Sequence, residues 1–267
     1  MKRYILSTIL LCLLGEVCAQ AQADQRTLNT RIADLLAKFP AQDAKQLEKN
    51  MEEMRGMGEQ GLEEMTGLLA APGKKDNTAL EYSLSGYSNY ATRAGKESWR
   101  LQIVSAFIKA LDKLPDPETK AFIIRQLAVV GNDVAVGSIK KYLQDERLCD
   151  PAARALVKIK TPTARRALIE SLNNGLNYNR LTLVEALGDM HAAEAVVIIT
   201  KLAESNDKKL RKLSLYALAQ IAQPSSEPFL QSAAFKSGFT YDETGATAAY
   251  LRFANQLRVN GKGQQAE

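Results

Sequence analysis

The 267-residue chain holds one histidine and three cysteines, and aromatic residues make up 6% of it. Sixteen glycines and eight prolines are too few and too scattered for a collagen-like or low-complexity chain. One histidine leaves little material for a metal centre or a histidine-based nucleophile. No apolar run beyond the first twenty residues approaches the roughly 20 residues of a membrane span. What remains is aliphatic: 46% hydrophobic residues beside 24% charged ones, with 35 Lys and Arg against 30 Asp and Glu. That balance fits a globular protein built from many short Ala- and Leu-rich helices.

The start of the chain reads as an address. Lys2 and Arg3 form a basic end, residues 5–14 are apolar apart from Ser7 and Thr8, and Val17-Cys18-Ala19 offers a small-residue cleavage site. This is the pattern of a secretory signal peptide over 1–19, cut after Ala19, with Ala21 or Ala23 as later options. The mature protein is therefore expected in the periplasm or outside the cell. Cleavage removes two bases and one acid, leaving a net charge of +4. It also removes Cys12 and Cys18, so Cys149 stands alone and has no partner for an internal disulfide. With no basic neighbourhood to lower its pKa, Cys149 reads as a packed thiol rather than a nucleophile.

The strongest pattern is an internal repeat. Leu127, Leu156, Leu187 and Leu218 follow at spacings of 29, 31 and 31, each with an apolar residue three positions on: Val130, Ile159, Met190 and Ile221. A second apolar set, Ile139, Leu168, Ile198 and Phe229, lies twelve or eleven residues after each Leu. Leu143, Leu172 and Leu202 follow four residues later. Short turns at Gly131, Lys160, His191 and Ala222 separate the two sets, and Asp116-Pro117, Asp150-Pro151 and Asp207 mark helix starts. Each unit is thus two amphipathic helices, and neither buries its stripe alone. The expectation is an all-α fold, an α-solenoid of stacked antiparallel helix pairs of about 30 residues each.

The organisation expected is a signal peptide at 1–19, irregular helical pairs over 20–115, regular repeats over 116–238, and an incomplete or capping repeat over 239–267. Helices are expected near 27–38, 44–54, 61–69, 78–92, 97–113 and 244–257, with a loop at 71–77. The 244–257 helix should bury Ala248, Leu251, Ala254 and Leu257, broadened by Ala249, Tyr250 and Phe253. A last helix without a partner would mark the front of a longer protein; the alternative is that 259–267 simply frays.

Little in this pattern carries chemistry. His191, near Asp189 and Glu185, falls at the repeated turn position and has no spaced set of further ligands. Gly56 with Gly58, and Gly261 with Gly263, lack the third glycine and the preceding strand of a nucleotide loop. Acidic pairs such as Glu52-Glu53 and Glu63-Glu64 read as solvated helix faces. No cofactor is expected. Lys140, Lys141, Arg165 and Arg166 are basic clusters that would flank a groove if second helices line a concave face. They form no continuous stripe, and with the modest net charge a nucleic-acid partner is not expected. Tyr87, Tyr90 and Trp99, with Tyr82 nearby, gather aromatic surface that would stack a sugar if exposed and form core if not.

The stretch Ala186-Leu187-Gly188-Asp189-Met190, followed by 192–202, resembles HEAT repeats, in the short version named after phycobilisome lyases. That resemblance implies a fold and leaves function open. Four further segments carry a second resemblance. They are Asn29-Thr30-Arg31-Ile32-Ala33-Asp34, Asp76-Asn77-Thr78-Ala79-Leu80, Leu148-Cys149-Asp150-Pro151-Ala152-Ala153-Arg154-Ala155-Leu156 and Thr247-Ala248-Ala249-Tyr250-Leu251. They resemble the N-terminal helical region of exported Bacteroidetes-type proteins with 3-keto-disaccharide hydrolase domains. In that family catalysis belongs to a following β-sandwich, for which residues 20–267 hold no strand series, so no catalytic residue carries over. The first expectation is a non-catalytic exported binding or spacer module at the front of a glycan-processing protein. Its partners would be a protein or glycan ligand and a C-terminal catalytic domain of the same polypeptide. The alternatives are a stand-alone periplasmic protein-binding scaffold and a self-contained lyase- or hydrolase-like enzyme using the groove.

Overall fold

A computed structural model describes residues 26–174 and 177–261. The expected signal peptide and the final residues 262–267 lie outside that range. Among the described residues there are fourteen α-helices, three short 3-10 turns and no strand, so the fold is all-α. No described helix is long and apolar enough to cross a membrane.

Five helices precede the regular repeat: α1 (Leu28–Leu36), α2 (Ala44–Gly56), α3 (Gly58–Gly67), α4 (Thr78–Ala91) and α5 (Glu97–Lys113). Polar side chains start two of them, Thr27 accepting from the Thr30 amide and Asp43 from that of Gln46. Asn77 ties the 71–77 loop closed, accepting from the Ala70 amide and donating to the Ala70 carbonyl.

Four helix pairs follow. They are α6 (Pro117–Val130) with α7 (Asp133–Lys140), α8 (Cys149–Ile159) with α9 (Pro162–Asn174), α10 (Arg180–Asp189) with α11 (Val196–Leu202), and α12 (Lys208–Ile221) with α13 (Glu227–Lys236). A final helix, α14 (Ala246–Val259), packs on both α12 and α13. Caps fall where short polar residues precede apolar periodicity. Asp116 accepts from the Glu118 and Thr119 amides, Asn132 from Val134, Thr161 from Ala164, and Asp207 from Lys209 and Leu210. The expected start at Asp150-Pro151 is displaced. Asp145 takes the amides of Arg147 and Leu148, α8 begins at Cys149, and Asp150 pairs instead with Arg154 one turn on.

One row of helices runs through the chain, and a second runs through its first part. In one, α4 packs on α6, α6 on α8, α8 on α10, α10 on α12 and α12 on α14; in the other, α3 packs on α5, α5 on α7 and α7 on α9. Gly188 lets α10 and α12 approach closely, since a Cβ there would lie 3.1 Å from the Ala217 Cα.

The buried stripe is more regular than the sequence suggested. Leu127, Leu156, Leu187 and Leu218 are all fully buried. Twelve residues after each comes a second fully buried position: Ile139, Leu168, Ile199 and Leu230. The expected Ile198 and Phe229 are the half-buried neighbours of the true positions. Four residues further, Leu143 and Leu172 are matched by Ala203 and Ala234, not by Leu202. The α14 stripe is also turned from expectation. Ala246, Ala249, Phe253 and Leu257 are buried, whereas Ala248 and Leu251 face solvent.

Candidate functional site

The three aromatic candidates lie inside the protein. Tyr87, Tyr90 and Trp99 are buried, with Trp99 5.7 Å from Tyr87 and 5.2 Å from Tyr90 between ring centroids. Cations of the same chain cover the cluster: the Lys96 ammonium lies 3.8 Å from the Trp99 centroid and the Arg93 guanidinium 4.3 Å from that of Tyr90. The Tyr90 hydroxyl donates to Glu48 at 2.8 Å, which holds its proton above the ordinary tyrosine range. Burial pushes the Tyr87 hydroxyl up in the same direction, and it has no hydrogen-bond partner among the described residues. A sugar needs an open ring face, so of the two readings that the sequence left for these aromatics their burial fits core packing.

The basic clusters are tied down by acids of neighbouring units. Lys140 pairs with Glu170 one unit on, and Lys141 pairs at 3.0 Å with Asp112 one unit back. Arg165 reaches Glu194 at 3.5 Å. The exposed Arg166 adds its field to that of Lys140 in holding the Glu170 carboxyl below its usual range, Lys140 supplying the larger part. Lys140, Lys141 and Arg165 therefore pair with three different acids.

The same geometry recurs along the chain. The Thr161 hydroxyl donates to Asp133, the Arg147 guanidinium meets Glu118 at 3.6 Å, and His191 Nδ1 lies 2.6 Å from the Gln220 carbonyl. Gln220 in turn accepts from Arg252 at 3.0 Å and Gln256 at 3.2 Å on α14. Arg100 donates to the Val130 and Gly131 carbonyls at 2.5 and 2.7 Å. The hydrogen bonds from Thr161 and Arg252 span 28 and 32 residues, about one repeat each. Polar rungs thus join successive units.

These rungs absorb the chemistry that the sequence offered. His191 is an exposed turn residue at φ 49°, one of a series with Lys160 and Ala222 that share the left-handed conformation. Gly131, the glycine at that position in the first unit, is at φ −63°. Cys149 is buried, and desolvation, aided by Asp150 and Asp145, pushes its thiol up to about 12, so it stays protonated. Glu53 pairs with Lys38, Glu52 with Lys96, and Glu63 with Lys109 and Lys113. Among the described residues no three His, Cys, Asp or Glu side chains gather to hold a metal ion.

Sequence reasoning missed a cleft of about 620 Å³ between α11, α12, α13 and the start of α14. Ala203, Leu215, Phe229, Ala233 and Ala246 give it apolar surface, and Glu204, Arg211, Lys236 and Asp242 give it charge. Arg211 is committed to the Ser205 carbonyl at 3.0 and 2.8 Å. Asp242 accepts from the Thr244 and Ala246 amides, bonds that hold its carboxyl low against the opposing effect of burial. The signal was present in outline: Ala203, on the cleft wall, occupies the repeat position that Leu143 and Leu172 fill in earlier units.

No family model matches the chain, and no curated protein matches it. Two engineered proteins with solved crystal structures are similar at the level of a structural overlay. One is 21% identical with a TM-score of 0.38, covering 77% of this chain and 94% of its own. The other is 17% identical with a TM-score of 0.40, covering 88% and 71%.

Proposed function

We propose that the chain is a non-catalytic, exported binding module in which HEAT-like helix pairs stack as an α-solenoid. The rungs at repeat spacing carry this reading, because they relate each unit to its neighbour in the same way. The two helix rows support it, since next-but-one packing is the nearest-neighbour arrangement of stacked pairs. The histidine and the cysteine have structural duties, which favours binding over turnover. With Tyr87, Tyr90 and Trp99 in the core, the sugar-stacking argument falls away, and a protein ligand is the better-supported partner. Placement at the front of a glycan-processing protein rests on the segment resemblance alone.

Two measurements test this. Small-angle scattering of the mature chain should give a radius of gyration clearly above the roughly 18 Å of a compact domain of this length; a value at or below that overturns the solenoid. Sequencing the N-terminus of protein recovered from the exported fraction should begin just after Ala19; intact Met1 in a cytoplasmic fraction overturns export. Turnover of a 3-keto-glycoside by the mature chain would replace the binding reading with the enzyme alternative.

A further inference from the structure

We infer that the cleft between α11, α12 and α13 docks a short acidic segment of a partner protein that anchors by one bulky apolar side chain. This rests on the binding-module reading and adds a place and a ligand chemistry to it. At the repeat position that Leu143 and Leu172 occupy in earlier units stands the smaller Ala203, which lines the cleft, and the volume of about 620 Å³ falls within the range of ligand sites.

Three exposed aromatics lie next in sequence to the cleft-lining end of α13. Phe235 and Phe239, which flank the cavity residues Lys236 and Ser237, form an edge-to-face pair 6.2 Å apart, and both are exposed. Tyr241 is 93% exposed. Phe239 sits at φ 54°, a conformation rare for an aromatic residue, held by its amide donating to the Ala234 carbonyl at 2.9 Å. Exposed aromatic rings are enriched at protein-docking surfaces.

Charge selects the partner's sign. Residues 201–261 hold eight Lys and Arg against five Asp and Glu. Three of the five acids are spent: Asp207 and Asp242 accept from backbone amides, and Glu243 pairs with Lys208 at 2.5 Å. Lys236 on the cleft has no ion-pair partner among the described residues, nor has Lys212, which with Arg252 lines a smaller hollow of about 170 Å³. Thr244 borders both spaces, so one bound segment would pass from the first to the second. Glu204 is the cleft carboxylate with no ion-pair partner among the described residues, and it would repel an acid on its own wall. The acidic flank of the ligand therefore belongs on the side of Lys236.

Fluorescence anisotropy on the full mature chain tests this, with a fluorescein-labelled heptapeptide carrying one phenylalanine between aspartates and glutamates. Saturable binding is expected, weakened at least about tenfold by Lys236→Glu and by Ala203→Leu. Ala203→Leu refills the cleft without opening a hole, so its melting temperature should not fall, which separates lost binding from lost folding. Lys140→Ala, far from the cleft, should bind as wild type. Absence of saturable binding, or wild-type affinity in both cleft variants, overturns the proposal. Binding of a lysine-rich peptide or a glycan equally by wild type and Ala203→Leu overturns this site while leaving the binding-module reading standing. Binding of dodecanoate in place of the peptide overturns the peptide ligand.

Discussion

Three turn residues show how little side-chain identity and backbone conformation are coupled at one repeated position. Lys160, His191 and Ala222 each close a first helix at positive φ, a region that costs an L-residue roughly 1–2 kcal/mol. Glycine stands at the one position of the series that does not need this freedom. At Gly131 the reason is space: a Cβ would lie 2.3 Å from the Leu127 carbonyl oxygen and 3.0 Å from Ile159 Cδ1. Two opposite outcomes follow. Lys160→Gly, at an exposed site, should raise stability by about 1 kcal/mol. Gly131→Ala should lower it by roughly 1–3 kcal/mol. Chemical denaturation of both variants checks the pair, and like signs would refute the steric account. Tyr87 supplies a second residue-scale expectation. Its hydroxyl is buried without a partner among the described residues, so Tyr87→Phe should leave stability unchanged or raise it by about 1 kcal/mol. A loss above that size would mean the hydroxyl is bonded in solution.

At the scale of helices, the caps and the first-helix leucines were readable because both depend on local pattern. Asp116, Asn132 and Asp207 cap where short polar residues precede apolar periodicity. The second helices were read one position out in α11 and α13, where adjacent apolar residues, Ile198 with Ile199 and Phe229 with Leu230, leave the phase undetermined by sequence. Burial settles it at twelve residues throughout. The same ambiguity turned the α14 stripe. Interlocking ion pairs and the cleft were not legible, since both arise only when units stack. Ala203 stands on the cleft wall where earlier units carry leucine. Ala203→Leu should therefore stabilise the fold by about 1 kcal/mol as a cavity-filling change, read as a higher denaturation midpoint. Asp207→Ala should cost about 1 kcal/mol by leaving the Lys209 and Leu210 amides uncapped.

At the scale of the whole molecule, the rungs and the buried thiol set opposite edges of a pH window. Glu59 and Glu63, bonded to Lys109, link α3 to α5, and Glu170, bonded to Lys140, links α9 to α7. These bonds hold all three carboxyls below the ordinary value of 4.5. A depressed carboxylate contributes stability that is present above its unfolded pKa and lost as pH falls through the folded one. Stability should thus decline in acid, below about pH 4.5, with units uncoupling from one another because the affected groups join units. The alkaline edge has the reverse sign. Cys149 rises from 9.0 to about 12, so between those values the folded chain holds a proton that the unfolded chain has released. Stability then falls as pH climbs past about 9. The melting temperature should be flat between the two edges, and Cys149→Ala should leave the acid edge in place. It should also move the onset of alkaline loss towards 10.0, the ordinary value of the tyrosine hydroxyl that burial raises at Tyr87. An alkaline edge unmoved by Cys149→Ala would show that the thiol does not set it. An acid edge that is unmoved when Glu59, Glu63 and Glu170 are all changed to glutamine would show that these rungs are surface decoration, as isolated exposed ion pairs often are.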